Sequence, residues 1–328
     1  MAFIRRVDFP GEFLYYGQVK DNFHMVDEKL DFVLQRLNRI ADLEELLNRK
    51  VGADEVFNAY AEDDTLYQKL FPSAAPIHIS LTDESQARRD GYSGQARIIQ
   101  ETIEEIQARH VLELCSGRGY NLMYLAKQNA QTHFEGVDLM PAYVRTLRKR
   151  SRSLKNISCR VGNIEALEYP SGSFDIVFCV ESLFHVTDLP KTLSEAYRVL
   201  KPGGRMIVID FFRKRDLAAV EPSQRNAMRI SENAFAITNP MSADGFLEAA
   251  QNTGFTVFDV KELSNRALPD LIRLDRLVGL VFIMPSITGI LARLLPSDVI
   301  DGIVGWQLLP SLFKSGLMGY FQVEFSRE

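Results

Sequence analysis

Cysteine is scarce in this 328-residue chain: Cys115, Cys159 and Cys179 are the only three. No two of them stand as a C-x-x-C pair, which excludes a disulfide framework and a zinc site, and no metal centre is expected. Each lies in or beside an apolar run, where cysteine usually behaves as a small hydrophobe. A basic excess is missing as well. With 38 Lys and Arg against 43 Asp and Glu, the net charge is -5. That balance argues against affinity gained by neutralising nucleic-acid phosphates. One basic run, "RTLRKRSRSLK" (Arg145 to Lys155), reads as a solvated helix end. Long unbroken hydrophobic runs are also lacking. The amino terminus "MAFIRRVDFPGEF" has no apolar region of secretory-signal length. The stretch "LVGLVFIMPSITGILARLL" approaches membrane-spanning length, but Pro285 and Arg293 interrupt it. A span is not expected, contact with a membrane surface stays open, and a reducing cytoplasm is the expected compartment.

What is present is ordinary for a globular protein, with 46% hydrophobic and 25% charged residues. Residues 1–95 read as a helical extension or lid. Within it Val26, Leu30, Val33, Leu37, Ile40 and Leu47 recur at three- and four-residue spacing, giving one apolar stripe. Packing of that stripe on the body of its own chain is preferred to a homodimer seam, which three heptads barely support. Residues 96–262 alternate strand and helix signals: "HVLELC", "HFEGVDL", "ISCRVGN", "FDIVFCV", "RMIVIDFF" and "TVFDVKEL" are β-branched or aromatic runs. Amphipathic helices such as "LPKTLSEAYRVL" separate them, and "KPGG" stops that helix abruptly. Such alternation predicts an α/β core with a mostly parallel sheet and helices on both faces. Residues 263–316 are rich in Leu, Ile, Val and Phe and read as a helical apolar cap on the substrate side. The last strand follows in residues 317–328, "MGYFQVEFSRE".

The loop "VLELCSGRGYNLMYLA" (Val111 to Ala126) carries the chemistry. Glycines after a first strand let backbone N–H groups approach a nucleotide at a helix N-terminus. A dinucleotide fingerprint needs G-x-G-x-x-G, and Leu122 occupies the third glycine position, so a nicotinamide-dependent oxidoreductase is remote. Glu113 ends the first strand, and Asp138 ends the next, where a carboxylate can accept both hydroxyls of a ribose.

"VLELCSGRG", "GVDLMP", "GNIEALEYPSGSFDIVFCVESLFHV" and "RVLKPGGRMIVIDF" resemble, in order and spacing, the motif series of class I S-adenosylmethionine-dependent methyltransferases. The resemblance covers roughly Arg109 to Phe212. It is nearest to the small-molecule and lipid enzymes of the ubiquinone/menaquinone, sterol and tocopherol type. It implies a Rossmann-like seven-stranded sheet and S-adenosyl-L-methionine as cofactor. Carried over, Gly117 and Gly119 pass beneath the methionine moiety, and Glu113 helps hold the loop and the cofactor's amino group. Asp138 binds the ribose hydroxyls and Leu139 packs on the adenine. Asn163 faces the adenine amino group, Ile164 lends a backbone N–H, and Val180 and Glu181 end the fourth strand beside the reacting methyl. Two positions depart from the pattern. Cys115 replaces a glycine, from which a slightly wider, unstrained turn is expected, and Asn163 stands where aspartate is usual.

The cofactor brings its own activated methyl, so the protein mainly supplies alignment. His185 is the candidate base, Glu181 a candidate for orienting the acceptor or His185, and Tyr92 a candidate aromatic over the cofactor. The N-P-P-Y signature for amine acceptors is absent. The apolar third zone, with Phe282, Trp306, Phe313, Tyr320 and Phe321, suits a hydrophobic small-molecule acceptor. A non-catalytic S-adenosylmethionine-binding scaffold is the alternative.

Overall fold

The computed structural model describes residues 23–61, 76–82, 91–279 and 294–328. Seven strands form one sheet: β1 (His110–Leu114), β2 (His133–Asp138), β3 (Ile157–Val161), β4 (Phe174–Val180), β5 (Leu200–Arg213), β6 (Thr256–Glu262) and β7 (Met318–Ser326). Their order is β3-β2-β1-β4-β5-β7-β6. The first five pair in parallel, while β7 runs antiparallel between β5 and β6. The sheet is therefore mostly parallel, as the strand–helix alternation predicts.

Period-two alternation sends successive side chains to opposite faces. Ile176, Phe178 and Val180 of β4 enter one hydrophobic cluster with Ile207 and Ile209 of β5. Val177 and Cys179 enter the other, with Val208. The second face is covered by α7 (Leu189–Val199) and α9 (Ala243–Thr253), whose N-terminal N–H groups are capped by Asp188 and Ser242. The first face carries α4 (Gly94–Ile106), α5 (Tyr120–Gln128) and α6 (Pro141–Arg150). The basic run expected to be a helix end is one: Arg148, Lys149 and Arg150 form the last turn of α6, where cations complement the helix dipole.

Five helices outside this layer share its core: α1 (Phe23–Leu37), α2 (Leu43–Asn48), α8 (Pro222–Ala234), α10 (Ser264–Gly279) and α11 (Ser297–Lys314); α3 (Ala53–Ala61) places none of its described residues there. The apolar stripe of residues 30–47 is buried within the chain: α1 packs on α8 and α11, and α2 on α8. Arg36 donates to Gln307 of α11, and Asn233 Nδ2 donates to Leu46 O at 2.7 Å. Leu30, Leu37, Leu271, Val304 and Leu308 belong to the same cluster as Val111 and Phe178 of the sheet.

This continuity makes a prediction. Leu308 is fully buried, so Leu308→Ala should cost about 2–5 kcal/mol of stability. Urea unfolding followed by far-ultraviolet and near-ultraviolet dichroism should show both signals shifting together. Loss of the helical signal alone, with the sheet's transition unmoved, would mean the helical layer is a separate unit. No helix among the described residues is long and apolar enough to cross a membrane.

Candidate active site

The strand order reverses between β1 and β4, and open parallel sheets bind ligands at the carboxyl ends of strands beside such a switch point. A cleft opens there, enclosing about 1310 Å³ of empty space with its mouth included.

The loop after β1 forms the floor. Cys115 has φ 52°, Gly117 φ 51° and Gly119 φ 73°. Cys115 is thus a correction to the expected unstrained turn: it takes the left-handed conformation that a glycine would adopt without cost, roughly 1–2 kcal/mol for a residue with a Cβ. Asp138 pins this loop. Its Oδ2 accepts from Gly117 N at 2.8 Å and its Oδ1 from Met140 N at 2.8 Å. Burial raises the carboxyl's pKa, opposed by those two N–H donors. Leu139 beside it is 52% exposed and lines the cleft, leaving an apolar face for a ring to cover. Gly119 does not line the cleft. It begins α5, and a Cβ there would sit 2.2 Å from Leu147 Cδ1, so close packing fixes its identity.

Glu113 is almost completely buried, and burial pushes its pKa up to about 8. Its Oε1 accepts from Asn121 Nδ2 at 2.9 Å. Asn163 and Ile164, past β3, line the cleft too, and Asn163 Oδ1 accepts from Glu165 N at 2.8 Å. Glu165 in turn accepts from Thr187 and Asp188 N–H groups, tying the β3 loop to the turn after β4.

At the end of β4, Val180 and Glu181 line the cleft. Glu181 has φ 50°, an outlier for a residue with a Cβ, and such strain gathers at functional sites. Asp210 Oδ2 receives Ser182 and Leu183 N–H groups at 3.0 and 3.2 Å, which holds that turn. The Glu181 carboxyl accepts from Tyr320 Oη at 2.6 Å and from Ile79 N at 3.2 Å. Burial raises its pKa well above the usual carboxylate range, opposed by the hydrogen bond from Tyr320. His185 ends the short 3₁₀ turn Leu183–His185 and lines the cleft. Its Nδ1 lies 3.0 Å from the Ala236 carbonyl, which can only accept, so Nδ1 carries the proton and Nε2 the lone pair. Burial lowers its pKa, keeping the ring neutral.

The structure therefore brings together Glu113, Gly117, Asp138, Leu139, Asn163, Ile164, Val180, Glu181 and His185. It does not bring Tyr92, whose hydroxyl accepts from Arg273 Nη2 at 3.5 Å. Nor do the third-zone aromatics line the cleft. Trp306 packs on Phe235, Phe313 and Tyr320 on Phe211, and Phe321 on Phe212, while Phe282 lies outside the described residues. The apolar roof comes instead from Ala53, Val56 and Phe57 of α3 and from Ile77. His78, Arg118 and Asn121 also line the cleft, and sequence reasoning missed them. Asn121 has a readable signal, its place in the first turn of α5; the strap bearing His78 has none. No group of metal-ligating side chains occurs among the described residues.

Residues 112–208 match the model of a family described as a methyltransferase domain. It is 29% identical over 168 residues to the phthiotriol/phenolphthiotriol dimycocerosates methyltransferase of Mycobacterium leprae, covering 50% of this chain and 57% of that one. It is 30% identical over 181 residues to the S-adenosyl-L-methionine-dependent Diels-Alderase of Talaromyces variabilis, covering 52% and 61%. The match thus spans less than two thirds of these curated relatives. The chain also shares its fold with the geranyl diphosphate C-methyltransferase of Streptomyces coelicolor A3(2), solved with geranyl diphosphate and S-adenosyl-L-homocysteine. That likeness has a TM-score of 0.61 at 17% identity, covering 84% of this chain and 97% of the other.

Proposed function

We propose that the chain is an S-adenosylmethionine-dependent methyltransferase acting on a small, hydrophobic or lipid-like acceptor. One observation carries the reading: the ends of β1, β2, β3 and β4 bring Glu113, Asp138, Asn163 and Glu181 to a single cleft. The residues present fit the cofactor. Glu113 Oε2 is buried with no hydrogen-bond partner, an acceptor in need of a donor. The described lining sets the carboxyls of Asp138 and Glu165, and that of Glu113 once a cation lies beside it, against the single guanidinium of Arg118, which suits a cationic ligand. Bound there, S-adenosylmethionine would supply a methyl group activated on a sulfonium sulfur.

The chain's own residues divide the remaining work. Asp138 holds ribose hydroxyls, Leu139 and Ile164 flank the base, and Glu113 meets the amino-acid end. Val56, Phe57 and Ile77 keep water from the roof and present an apolar surface to the acceptor. Glu181, held in place by Tyr320 and Ile79, orients the acceptor. His185 accepts a proton at Nε2 from an acceptor that must lose one.

Incubation with methyl-labelled S-adenosylmethionine and a panel of prenylated and acylated phenols should transfer label to an extractable product. His185→Ala should slow that turnover by about 10²-fold or more and leave affinity for S-adenosylhomocysteine within twofold. Cofactor binding without any label transfer across the panel and a lipid extract would contradict the transferase reading. Undiminished turnover in His185→Ala would remove the base.

A further inference from the structure

Three hydrogen-bond acceptors without partners meet where the loop leaves β1. Glu113 and Asn121 are 3% and 4% exposed, and neither Glu113 Oε2 nor Asn121 Oδ1 has a partner. The third is Nε2 of His78, on the strap Pro76–Thr82, likewise buried and unpartnered. All three residues line the cleft.

What each of these side chains does at its other end fixes its polarity. Asn121 Nδ2 donates to Glu113 Oε1 at 2.9 Å, so the amide presents its oxygen to the cleft. His78 Nδ1 lies 2.9 Å from the Ile79 carbonyl, so Nδ1 carries the proton and Nε2 presents a lone pair. Burial lowers the ring's pKa to about 4, which keeps it an acceptor at neutral pH. Asn121 stands beside that ring but outside hydrogen-bonding geometry with it. The ring is held edge-on by Tyr120 at 5.5 Å between centroids. The strap itself is fixed: Ile79 N donates to Glu181, Ser80 N to Asp270 at 2.9 Å, and Gln95 Nε2 to Ile79 O at 2.9 Å.

Buried acceptors left unpaired are costly, and once Glu113 gives up its proton a single ligand group that relieves all three must carry three donors. A hydroxyl has one donor and a water two; a primary ammonium has three, with a charge that complements the Glu113 carboxylate. We propose that His78, Asn121 and Glu113 form a cage for a primary ammonium group, with His78 closing it from above. The assignment rests on the cofactor reading, since the ammonium is that of the cofactor's amino-acid end. The new element is His78, which lies outside the matched span 112–208. Through it, a strap without any motif becomes a cofactor ligand. Because His78 and Ile79 are neighbours, the same strap touches both the ammonium and Glu181.

Calorimetric titration of the full chain with S-adenosylhomocysteine, and with its desamino analogue that keeps the carboxylate, tests the cage. His78→Ala should weaken S-adenosylhomocysteine binding about tenfold or more and leave the desamino analogue within twofold. His78→Gln, which restores an acceptor, should recover part of the loss. Equal weakening of both ligands, or of neither, overturns the cage, with melting temperatures confirming that each variant is folded. Failure of S-adenosylhomocysteine to bind the wild-type chain instead overturns the cofactor reading, and the cage with it.

Discussion

Asp138→Ala is expected to weaken S-adenosylhomocysteine binding by about 10²–10⁴-fold, the largest single-site loss in the cleft. Hydrogen bonds to a charged group contribute about 1.5–3 kcal/mol each, and a ribose offers this carboxylate two. A second cause adds to the first. Asp138 accepts Gly117 N and Met140 N at 2.8 Å each, so alanine also releases the loop that forms the floor. Asp138→Asn should do less harm, because its amide oxygen retains one acceptor for these donors. Calorimetry gives the affinities, and the melting temperature separates loss of the site from loss of the fold. Unchanged affinity in Asp138→Ala would remove this residue from the ribose site.

Glu113 should make cofactor affinity depend steeply on pH. Burial raises its pKa to about 8 in the free protein, so near pH 7 the carboxyl is mostly protonated. A bound ammonium favours the carboxylate, so binding below pH 8 expels a proton. Affinity should therefore climb with pH, up to tenfold per unit, and level off above about 8. Calorimetry in buffers of different ionisation enthalpy counts the released proton directly. Glu113→Gln should lower the plateau affinity by about 10²-fold and flatten this part of the slope. The sign for stability is the reverse. Between the ordinary carboxylate pKa near 4.5 and the raised value near 8, the folded chain keeps a proton that the unfolded chain has lost. The free protein should thus lose stability as pH rises through that window. Asp210, also pushed up to about 8 by burial, acts in the same direction. A pH-independent affinity that equals that of Glu113→Gln would contradict the role given to Glu113.

The strands were legible because a β-branched or aromatic run between helix signals is a local feature, and each strand in the 96–262 core carries one. The strand-end carboxyls Glu113 and Asp138 were legible for a related reason. The motif series places them at known offsets from glycines, and the parallel sheet then aligns those offsets in space. The roof followed no such rule. Ala53, Val56, Phe57, Ile77 and His78 come from segments with no motif, and they reach the cleft only through long-range packing. Composition did not place the third zone, whose excess of apolar residues leads one to expect a cover for the acceptor. Apolar area does not say which surface it covers, and among the described residues of that zone α11 packs on α1, α8 and α10. Trp306 and Phe313 accordingly meet Phe235 and Phe211 rather than a ligand.

Cys115 and Gly119 both take a positive φ. Gly119, expected beneath the methionine moiety, also meets a packing demand, because a Cβ there would crowd Leu147. Cys115 was expected to avoid strain, and instead it holds φ 52°. Cys179 on β4 neighbours it, and that thiol and burial push the Cys179 pKa up.

A crystal structure of the full chain with S-adenosylhomocysteine tests the central claim most directly. The ribose hydroxyls should lie within hydrogen-bonding distance of the Asp138 carboxylate, the adenine against Leu139, and the amino nitrogen at Glu113. A nucleoside bound elsewhere, or bound in reverse with its adenine beside Glu181 and His185, would contradict it.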